Sequence, residues 1–440
     1  MKTKFTLTIL LTVFTMTSFA QWVPAGSGMD NYVWASAVYN GNLYASGNFE
    51  HADGVEALAI AKWDGNTWSA VGGGFQHDAF TNIVDAMIVF NNELYAGGYV
   101  DSAGGNLIHK VAKWNGSVWS AVGTHCPIST VRCFAIHNGE LYAGGSSSGA
   151  GNCAVAKWNG STWDPLDVEG GTIEVWSLAS YNGNLYAGGN MANINSVTVS
   201  KIAKWDGNVW SDVSGGLTNG FGTIVRALAV FNNKLFVGGN FNLAGATVVH
   251  HVASWDGTNW ADVGGGVGGS TAIVQSFLPF GNKLFVGGTF WTVNGANANR
   301  AAYWDGTAWT VLGTDLSSGA RTQQVYNSEL YSMGEIAGSG QNYAAKWTGG
   351  TFTGIEEAVN HELIEAYPNP ASDKVYVPVK RNSSELFLSD FSGRRVEVNF
   401  TTSTKNPDEL EFDTSKLSPG FYFLNTTDHS APACRIVVQH

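Results

Sequence analysis

Short apolar runs alternate with tight-turn dipeptides along most of the chain, and residues 33–71 form the first complete unit. Asn40-Gly41 and Asp64-Gly65 are favoured in type I′ hairpin turns, because both central residues of that turn need positive φ. Small, apolar and aromatic residues fill the segments around each turn, which is typical of β-strands. The pattern therefore predicts four antiparallel strands, a to d, at residues 33–39, 42–47, 58–63 and 67–71.

This four-strand unit occurs seven times. A paired aromatic turn, WDGNTW in the first copy, begins at Trp63, Trp114, Trp158, Trp205, Trp255, Trp304 and Trp347. A second signature, NLYASG or a variant of it, precedes each turn, with leucines at Leu43, Leu94, Leu141, Leu185, Leu235, Leu284 and Leu330. The turns start 43 to 51 residues apart, which is the length of a four-stranded propeller blade. The repeats predict an all-β fold, a seven-bladed β-propeller.

The first twenty residues follow a different pattern. Lys2 and Lys4 precede an apolar run over residues 5–14, and Ser18-Phe19-Ala20 supplies small residues around a cleavage point. These are the three regions of a secretory signal peptide, so we expect cleavage after Ala20. No later stretch approaches the roughly 18 apolar residues of a membrane-spanning helix, and none is expected in the mature protein.

Residues 22–28 (WVPAGSG) align in register with residues 68–74 (WSAVGGG), which include a strand d, yet no strands a to c precede them. We therefore predict that this segment pairs with strand c of the seventh repeat, near residues 344–347, closes the ring and covers an open sheet edge. The alternative is that Thr351-Phe352 supplies a short fourth strand in that repeat.

The last 80 or so residues lack both signatures. Turn residues stand at Pro368-Asn369-Pro370, Ser392-Gly393 and Ser418-Pro419-Gly420, between short alternating runs. This spacing predicts a small β-sandwich. The predicted organisation is a signal peptide (1–20), the propeller (21–354), a linker (355–361) and a C-terminal domain (362–440).

Two resemblances add to this interpretation. The Gly-Gly after strand b, followed by a paired aromatic turn, resembles kelch-type propellers, a fungal cortical cell-polarity marker family and many exported Bacteroidetes proteins, over residues 22–354. The motifs AYPNPASDKVYV, LFLSDFSGRRV, LEFDTSKLSPGFYFL and CRIVVQH resemble the type A C-terminal sorting domain of the Bacteroidetes type IX secretion system. That resemblance implies recognition of residues 362–440 by the secretion machinery, removal of the domain, and release or attachment at the cell surface.

Composition narrows the possible partners. The formal net charge is −12, and no lysine or arginine cluster stands out, so we do not expect DNA or RNA binding. Cys126, Cys133 and Cys153 lie close together in the sequence. An exported protein meets oxidising conditions, so one disulfide among them is one possibility; free buried thiols are the other.

No catalytic signature stands out: the sequence lacks GxSxG, HExxH, Walker, Rossmann and EF-hand patterns. His250-His251 would point to opposite faces of a strand, which disfavours a shared metal. We therefore expect no catalytic residue, metal or cofactor. The long b–c and d–a connections share one end of the propeller and are expected to carry recognition. Phe290-Trp291 lies in such a loop, as a ligand platform or as packing against a neighbouring loop.

When the seven repeats are aligned, the second position of strand a varies, whereas the first position, which packs between blades, does not. Strand a begins with Val33, Val84, Val131, Val175, Val225, Val274 and Ala320. The next position holds Trp34, Asp85, Arg132, Trp176, Arg226, Gln275 and Arg321. Because every blade has the same stacking requirements, this variable column is predicted to lie at the mouth of the axial channel. Three arginines against one aspartate predict a locally positive mouth suited to an anionic glycan. The alternative is a ring of solvated side chains without a ligand.

Three functions fit this sequence. The first is an exported, non-enzymatic binding or adhesion protein that presents one variable face to a glycan or protein. The second is a secreted enzyme acting on glycans or other polymers, which convergent carboxylates in the long loops would favour. The third is a structural component of the cell surface.

Overall fold

The computed structural model describes part of the chain, and two compact units, Met1–Gly354 and Ile355–His440, are distinguished by their internal contacts. The described residues are 21–76, 82–148, 152–167, 173–219, 222–313, 316–336, 342–352, 373–378, 386–390, 395–396, 398–403, 409–418, 420–426 and 434–438. The predicted signal peptide and linker lie outside them.

Seven four-stranded antiparallel blades form the first unit. Strands a are Val33–Tyr39, Ile83–Phe90, Thr130–His137, Glu174–Tyr181, Ile224–Phe231, Val274–Phe280 and Ala320–Tyr326. Strands b are Asn42–Gly47, Glu93–Tyr99, Glu140–Ser146, Asn184–Asn190, Lys234–Asn240, Lys283–Gly288 and Glu329–Gly334. Strands c are Ile60–Trp63, Val111–Trp114, Val155–Trp158, Ile202–Trp205, Val252–Trp255, Ala301–Trp304 and Ala344–Trp347. Strands d are Trp68–Ala70, Trp119–Ala121, Trp163–Pro165, Trp210–Asp212, Trp260–Asp262, Trp309–Val311 and, in blade 7, Trp22–Pro24. Each strand a contacts strand a of both neighbouring blades, so these strands form a closed inner ring.

The N-terminal strand completes the seventh blade, as predicted. Trp22 pairs with Trp347 and Pro24 with Ala345 in an antiparallel register. The Ala25 amide donates a further hydrogen bond to the Ala344 carbonyl oxygen at 3.1 Å. The first and last strands of the propeller are thus joined in one sheet, and strand c of blade 7 has no open edge.

The paired tryptophans hold neighbouring blades together. Within each blade the rings of the strand c and strand d tryptophans lie 4.9–5.4 Å apart, centroid to centroid. Each strand d indole N–H also donates to a backbone carbonyl of the preceding blade, at 2.7–3.2 Å. The strand d tryptophan is therefore both packed within its own blade and hydrogen-bonded to the preceding one.

The long b–c connections, which the sequence suggests are variable loops, share a common structure in most blades. In five blades they fold into a hairpin of two-residue strands. The hairpins are His51–Ala52 with Val55–Glu56, Ser102–Ala103 with Asn106–Leu107, Asn193–Ile194 with Val197–Thr198, Leu243–Ala244 with Thr247–Val248, and Thr292–Val293 with Ala296–Asn297. Phe75–Gln76, Leu217–Thr218 and Val267–Gly268, from the d–a connections, each pair with one of them. Positive-φ residues at the tips, such as Asp53 and Asn195, allow these tight turns.

The second unit contains two small antiparallel sheets. One comprises Lys374–Pro378, Thr401–Thr402 and Glu409–Asp413, and the other Leu386–Asp390, Arg395–Val396, Gly420–Thr426 and Cys434–Val438. Val375 and Phe412 from the first sheet share one hydrophobic cluster with Leu388 and Leu424 from the second. Two sheets around a common core are what the predicted β-sandwich requires.

The three clustered cysteines are free thiols, so the disulfide considered for them is absent from this structure. Cys126 and Cys153 are buried in the hydrophobic cluster between blades 2 and 3. Burial raises the pKa of the Cys126 thiol to about 12, so it stays protonated at neutral pH. These cysteines act as small buried hydrophobic residues, which was the second possibility.

Candidate binding site at the axial mouth

All seven residues of the variable column occupy the same kind of backbone irregularity. In every blade the pairing of strand a with strand b skips one residue of strand a. The skipped residues are Trp34, Asp85, Arg132, Trp176, Arg226, Gln275 and Arg321. A β-bulge leaves its extra residue unpaired and re-aims the side chain, which explains why this column is free of the stacking constraint.

The glycines of strand b make room for the bulge. A Cβ on Gly98 would collide with the Ile83 carbonyl oxygen, and a Cβ on Gly145 would collide with that of Thr130. Glycine is therefore needed at these positions for close backbone approach, not for flexibility.

The structure brings all seven bulge residues together around one pocket of ≈ 80 Å³. A second, larger pocket of ≈ 330 Å³ adjoins it and shares Trp34, Asp85 and Arg132. Ile83, Tyr99 and Thr130 complete the lining of the larger pocket. The residues converge as the sequence predicted, whereas their role in ligand binding stays a prediction.

Arginine and tryptophan side chains stack around the mouth. The guanidinium groups of Arg132 and Arg226 lie 3.9 Å and 3.7 Å from the ring centroid of Trp176. Arg321 lies 3.8 Å from that of Trp34. Each cation–π contact contributes about 0.5–2 kcal/mol, more where water is excluded. These stacks hold the side chains of blades 3, 4, 5, 7 and 1 in fixed positions.

Two of the three arginines also have carboxylate partners. Arg132 contacts Asp85 at 3.3 Å and Glu174 at 3.4 Å, and its Nε donates to Ser146 Oγ at 3.2 Å. Arg321 Nε donates to Glu335 Oε1 at 2.7 Å. Among the described residues at the mouth, three carboxylates thus balance the charge of three guanidinium groups, and two of those groups contact them directly. The prediction of a positive mouth was wrong, because Glu174 and Glu335 lie outside the variable column.

Arg226 differs from the other two. No hydrogen bond or ion pair joins its guanidinium group to another described residue; its contact is the face of Trp176. Burial, together with repulsion from Arg321 and Arg132, lowers its pKa to about 10. Two other polar atoms of the pocket, Trp176 Nε1 and Gln275 Oε1, are buried without a partner. The mouth therefore contains one cation and one N–H donor whose hydrogen-bonding capacity is unused.

Asp85 is the most shielded ionisable group of the site, with its side chain only 6% exposed. Burial raises the pKa of its carboxyl to about 6, although Arg132, Arg321 and Arg226 favour the charged form. Desolvation therefore outweighs three nearby cations. Its charge can change within the mildly acidic range.

The other candidates from the sequence do not form a comparable site. Phe290 is fully buried, whereas Trp291 is 46% exposed and lies under Arg300 at 4.3 Å. Burial lowers the pKa of His251, whose buried Nδ1 has no hydrogen-bond partner. No group of three or more His, Cys, Asp or Glu suited to a metal occurs within the residues that the structure describes.

Sequence reasoning found the bulge column but missed the bulge itself and the partners Glu174 and Glu335. The strand b glycine pairs were the available signal for the bulge. Glu174 lies two residues before Trp176, and Glu335 follows strand b, so neither belongs to the column that was compared. The equivalent positions of the other blades hold uncharged residues, so the comparison of repeats gives no signal for either glutamate.

The fold and the site define a class: a seven-bladed propeller whose axial mouth is lined by seven variable residues, followed in the sequence by a small two-sheet domain. Residues 365–439 match the family model described as "Secretion system C-terminal sorting domain". The chain therefore carries a type IX secretion sorting domain behind its propeller, and the protein is secreted to the cell surface or exterior. Among curated proteins none matches the chain.

Solved structures resemble the chain at the level of the fold. The extracellular domain of a protein named as a hybrid two component system of B. thetaiotaomicron is 10% identical, with a TM-score of 0.50. The match covers 93% of this chain and 51% of that one, so the chain spans about half of its length. The computationally designed Ika8 protein (14% identity, TM-score 0.44) and the RRP9 WD40 repeats (11%, 0.45) match 74% and 75% of this chain and 99% of their own. No helix among the described residues has the length and hydrophobicity to cross a membrane.

Proposed function

We propose that this secreted protein is a non-enzymatic binding or adhesion protein, and that the axial mouth of its propeller takes a glycan. We also infer that the repeats are of kelch type, from the glycine pairs and paired aromatic turns. The observation that carries the proposal is the convergence of seven variable bulge residues on one pocket, with an unpaired guanidinium at Arg226. Polar groups that converge in a pocket on a rigid scaffold favour ligand recognition.

The mouth is already ordered, which favours ligand binding. Stacked guanidinium groups and charged hydrogen bonds fix Arg132, Arg321 and their partners before any ligand arrives. Such preorganisation lowers the entropic cost of binding. Trp34 and Tyr99 line the larger pocket and offer aromatic surface for a sugar ring.

A second candidate, a glycan-active enzyme, is favoured by one observation. Asp85 lines both pockets, and burial raises its pKa to about 6, a value suited to a general acid or base near neutral pH. In an enzyme, Asp85→Asn would abolish turnover while leaving substrate binding measurable. In the binding protein proposed here, that variant would have no turnover to lose.

We expect Arg226→Ala to lower the affinity of the chain without its signal peptide, residues 21–440, at least about tenfold for a glycan identified on an array. The lost interaction is charge-assisted, and such hydrogen bonds contribute roughly 1.5–3 kcal/mol. Replacing Arg132, Arg226 and Arg321 together is a less clear test, because Asp85, Glu174 and Glu335 would lose their partners.

Arg300→Ala is the matched control. Arg300 also stacks on a tryptophan but is not among the residues that line the mouth pocket. It should change the affinity less than about twofold, measured by surface plasmon resonance. Unchanged binding by Arg226→Ala would exclude the mouth as the glycan site.

Processing gives a separate prediction. Protein recovered from the culture medium of the native host should begin at Gln21 and lack roughly the last 80 residues, as the signal peptide and the sorting domain imply. Intact mass spectrometry measures both ends at once. An extracellular form that retains residues 362–440 would contradict the cleavage, and a variant lacking those residues should stay inside the cell envelope.

A further inference from the structure

We propose that the mouth recognises a carboxylate, held by the guanidinium group of Arg226 above the ring of Trp176, and that one proton is taken up by Asp85 when the ligand binds. The ligand class is therefore a sugar acid. This inference rests on the proposed function and specifies its chemistry.

The first argument is the unpaired charge of Arg226. A charged group shielded from water normally has a counter-charge and satisfied hydrogen bonds, because leaving it unpaired is destabilising. Arg132 and Arg321 follow this rule through Asp85, Glu174 and Glu335. No ion pair joins Arg226 to a described residue: Glu174 and Asp85 favour its charged form from a distance, but burial and repulsion from Arg321 and Arg132 outweigh them. An arriving anion would neutralise it.

The second argument is the donor set. The guanidinium group of Arg226 lies over the ring of Trp176, and none of its N–H groups donates to another described residue. Both side chains line the same pocket. A carboxylate has two oxygens, and it accepts from planar guanidinium groups in a bidentate manner. It therefore suits the unused N–H groups of Arg226.

The third argument is size. The ≈ 80 Å³ pocket has room for a carboxylate but not for a whole sugar. The adjoining pocket of ≈ 330 Å³ is larger and is lined by Trp34 and Tyr99. A sugar acid would place its carboxylate in the small pocket and its ring in the large one.

The proton follows from the charge balance. Among the described residues of the mouth, the charges of Arg132, Arg226 and Arg321 are matched by those of Asp85, Glu174 and Glu335, so an added anion gives this set a net negative charge. Glu174 and Glu335 are 34% and 25% exposed, whereas Asp85 is 6% exposed. Asp85 faces Arg132 directly and lies within the field of Arg226 and Arg321. Its charged form is the least hydrated of the three carboxylates, and it is therefore the group that takes the proton.

The test is calorimetry of the chain without its signal peptide, residues 21–440, with D-glucuronate, D-galacturonate and D-mannuronate, each beside its methyl ester. We expect at least one acid to bind about tenfold more tightly than its uncharged ester. Its affinity should rise about tenfold from pH 7.5 to pH 5.5. Titrations at pH 7 in two buffers of different ionisation enthalpy should show uptake of nearly one proton.

Two variants separate the parts of the proposal. Arg226→Gln should abolish the preference for the acid over the ester, and Asp85→Asn should keep that preference but lose the pH dependence and the proton uptake. Equal binding of acid and ester, or equally tight binding of glucose 6-sulfate, would overturn the carboxylate site. Mouth-dependent binding of only neutral glycans would overturn this inference and leave the proposed function standing. If no glycan binds at the mouth, the proposed function itself fails.

Discussion

Deletion of residues 21–30 is expected to lower the melting temperature of the propeller by about 10 °C or more, because it removes the strand that closes the ring. Trp22 is 3% exposed, stacks on Trp347 at 5.3 Å, and donates from Nε1 to the Leu312 carbonyl at 2.7 Å. Without this strand, strand c of blade 7 becomes an open edge and the buried Trp347 meets water.

A point variant tests the same closure without shortening the chain. Trp22→Ala should destabilise the propeller by about 3–5 kcal/mol, the usual cost of truncating a buried aromatic residue. Trp291→Ala is the control, since Trp291 is 46% exposed, and it should cost far less. All 17 tryptophans lie between residues 22 and 347, so tryptophan fluorescence reports on the propeller alone.

The competing view was that Thr351-Phe352 forms the fourth strand of blade 7. Phe352 packs edge-on against Phe285 at 4.9 Å, and its amide donates to the Ser328 carbonyl at 2.8 Å. It therefore anchors the end of the propeller without replacing strand d. An unchanged unfolding transition after the deletion would show that this anchor suffices and that ring closure contributes little.

The blade architecture was predictable from the sequence because every repeat packs against its neighbours through the same contacts. The turn dipeptides, the glycine pair and the two tryptophans recur because each blade needs the same hairpins, bulge and inter-blade hydrogen bond. Trp22 could be assigned to strand d for the same reason: its neighbours match those of Trp68 position by position. Because the same motifs recur in seven repeats, a strand assigned in one repeat can be checked against the other six.

The mouth was predictable only in part. The column containing Arg226 was found because it varies, but variation does not show which charges meet. Glu174 pairs with Arg132 of the preceding blade, and Glu335 pairs with Arg321 from the end of strand b. These are contacts between different strands or blades and have no fixed spacing in the sequence. The charge balance of the mouth therefore required the structure.

Asp85 provides the second large effect, on stability against pH. Burial raises the pKa of its carboxyl from 3.8 to about 6. A group with a raised folded-state pKa stabilises the fold below the unfolded-state pKa, and this contribution is lost as pH rises through the folded-state pKa. Each pKa unit corresponds to about 1.4 kcal/mol, so roughly 3 kcal/mol should be lost between about pH 4 and pH 7.

Asp85→Asn isolates this contribution, because asparagine is neutral at every pH. We expect the free energy of unfolding of Asp85→Asn, minus that of the parent, to rise by roughly 3 kcal/mol from pH 4 to pH 7, measured by urea titration of tryptophan fluorescence. Asp64→Asn is the matched control: the backbone amides of Thr67 and Asn66 lower the pKa of the exposed Asp64, so its difference should be small and of opposite sign. A difference for Asp85→Asn that stays constant with pH would mean that Arg132 fully compensates the buried carboxylate, and the proton uptake proposed for the mouth would fail with it.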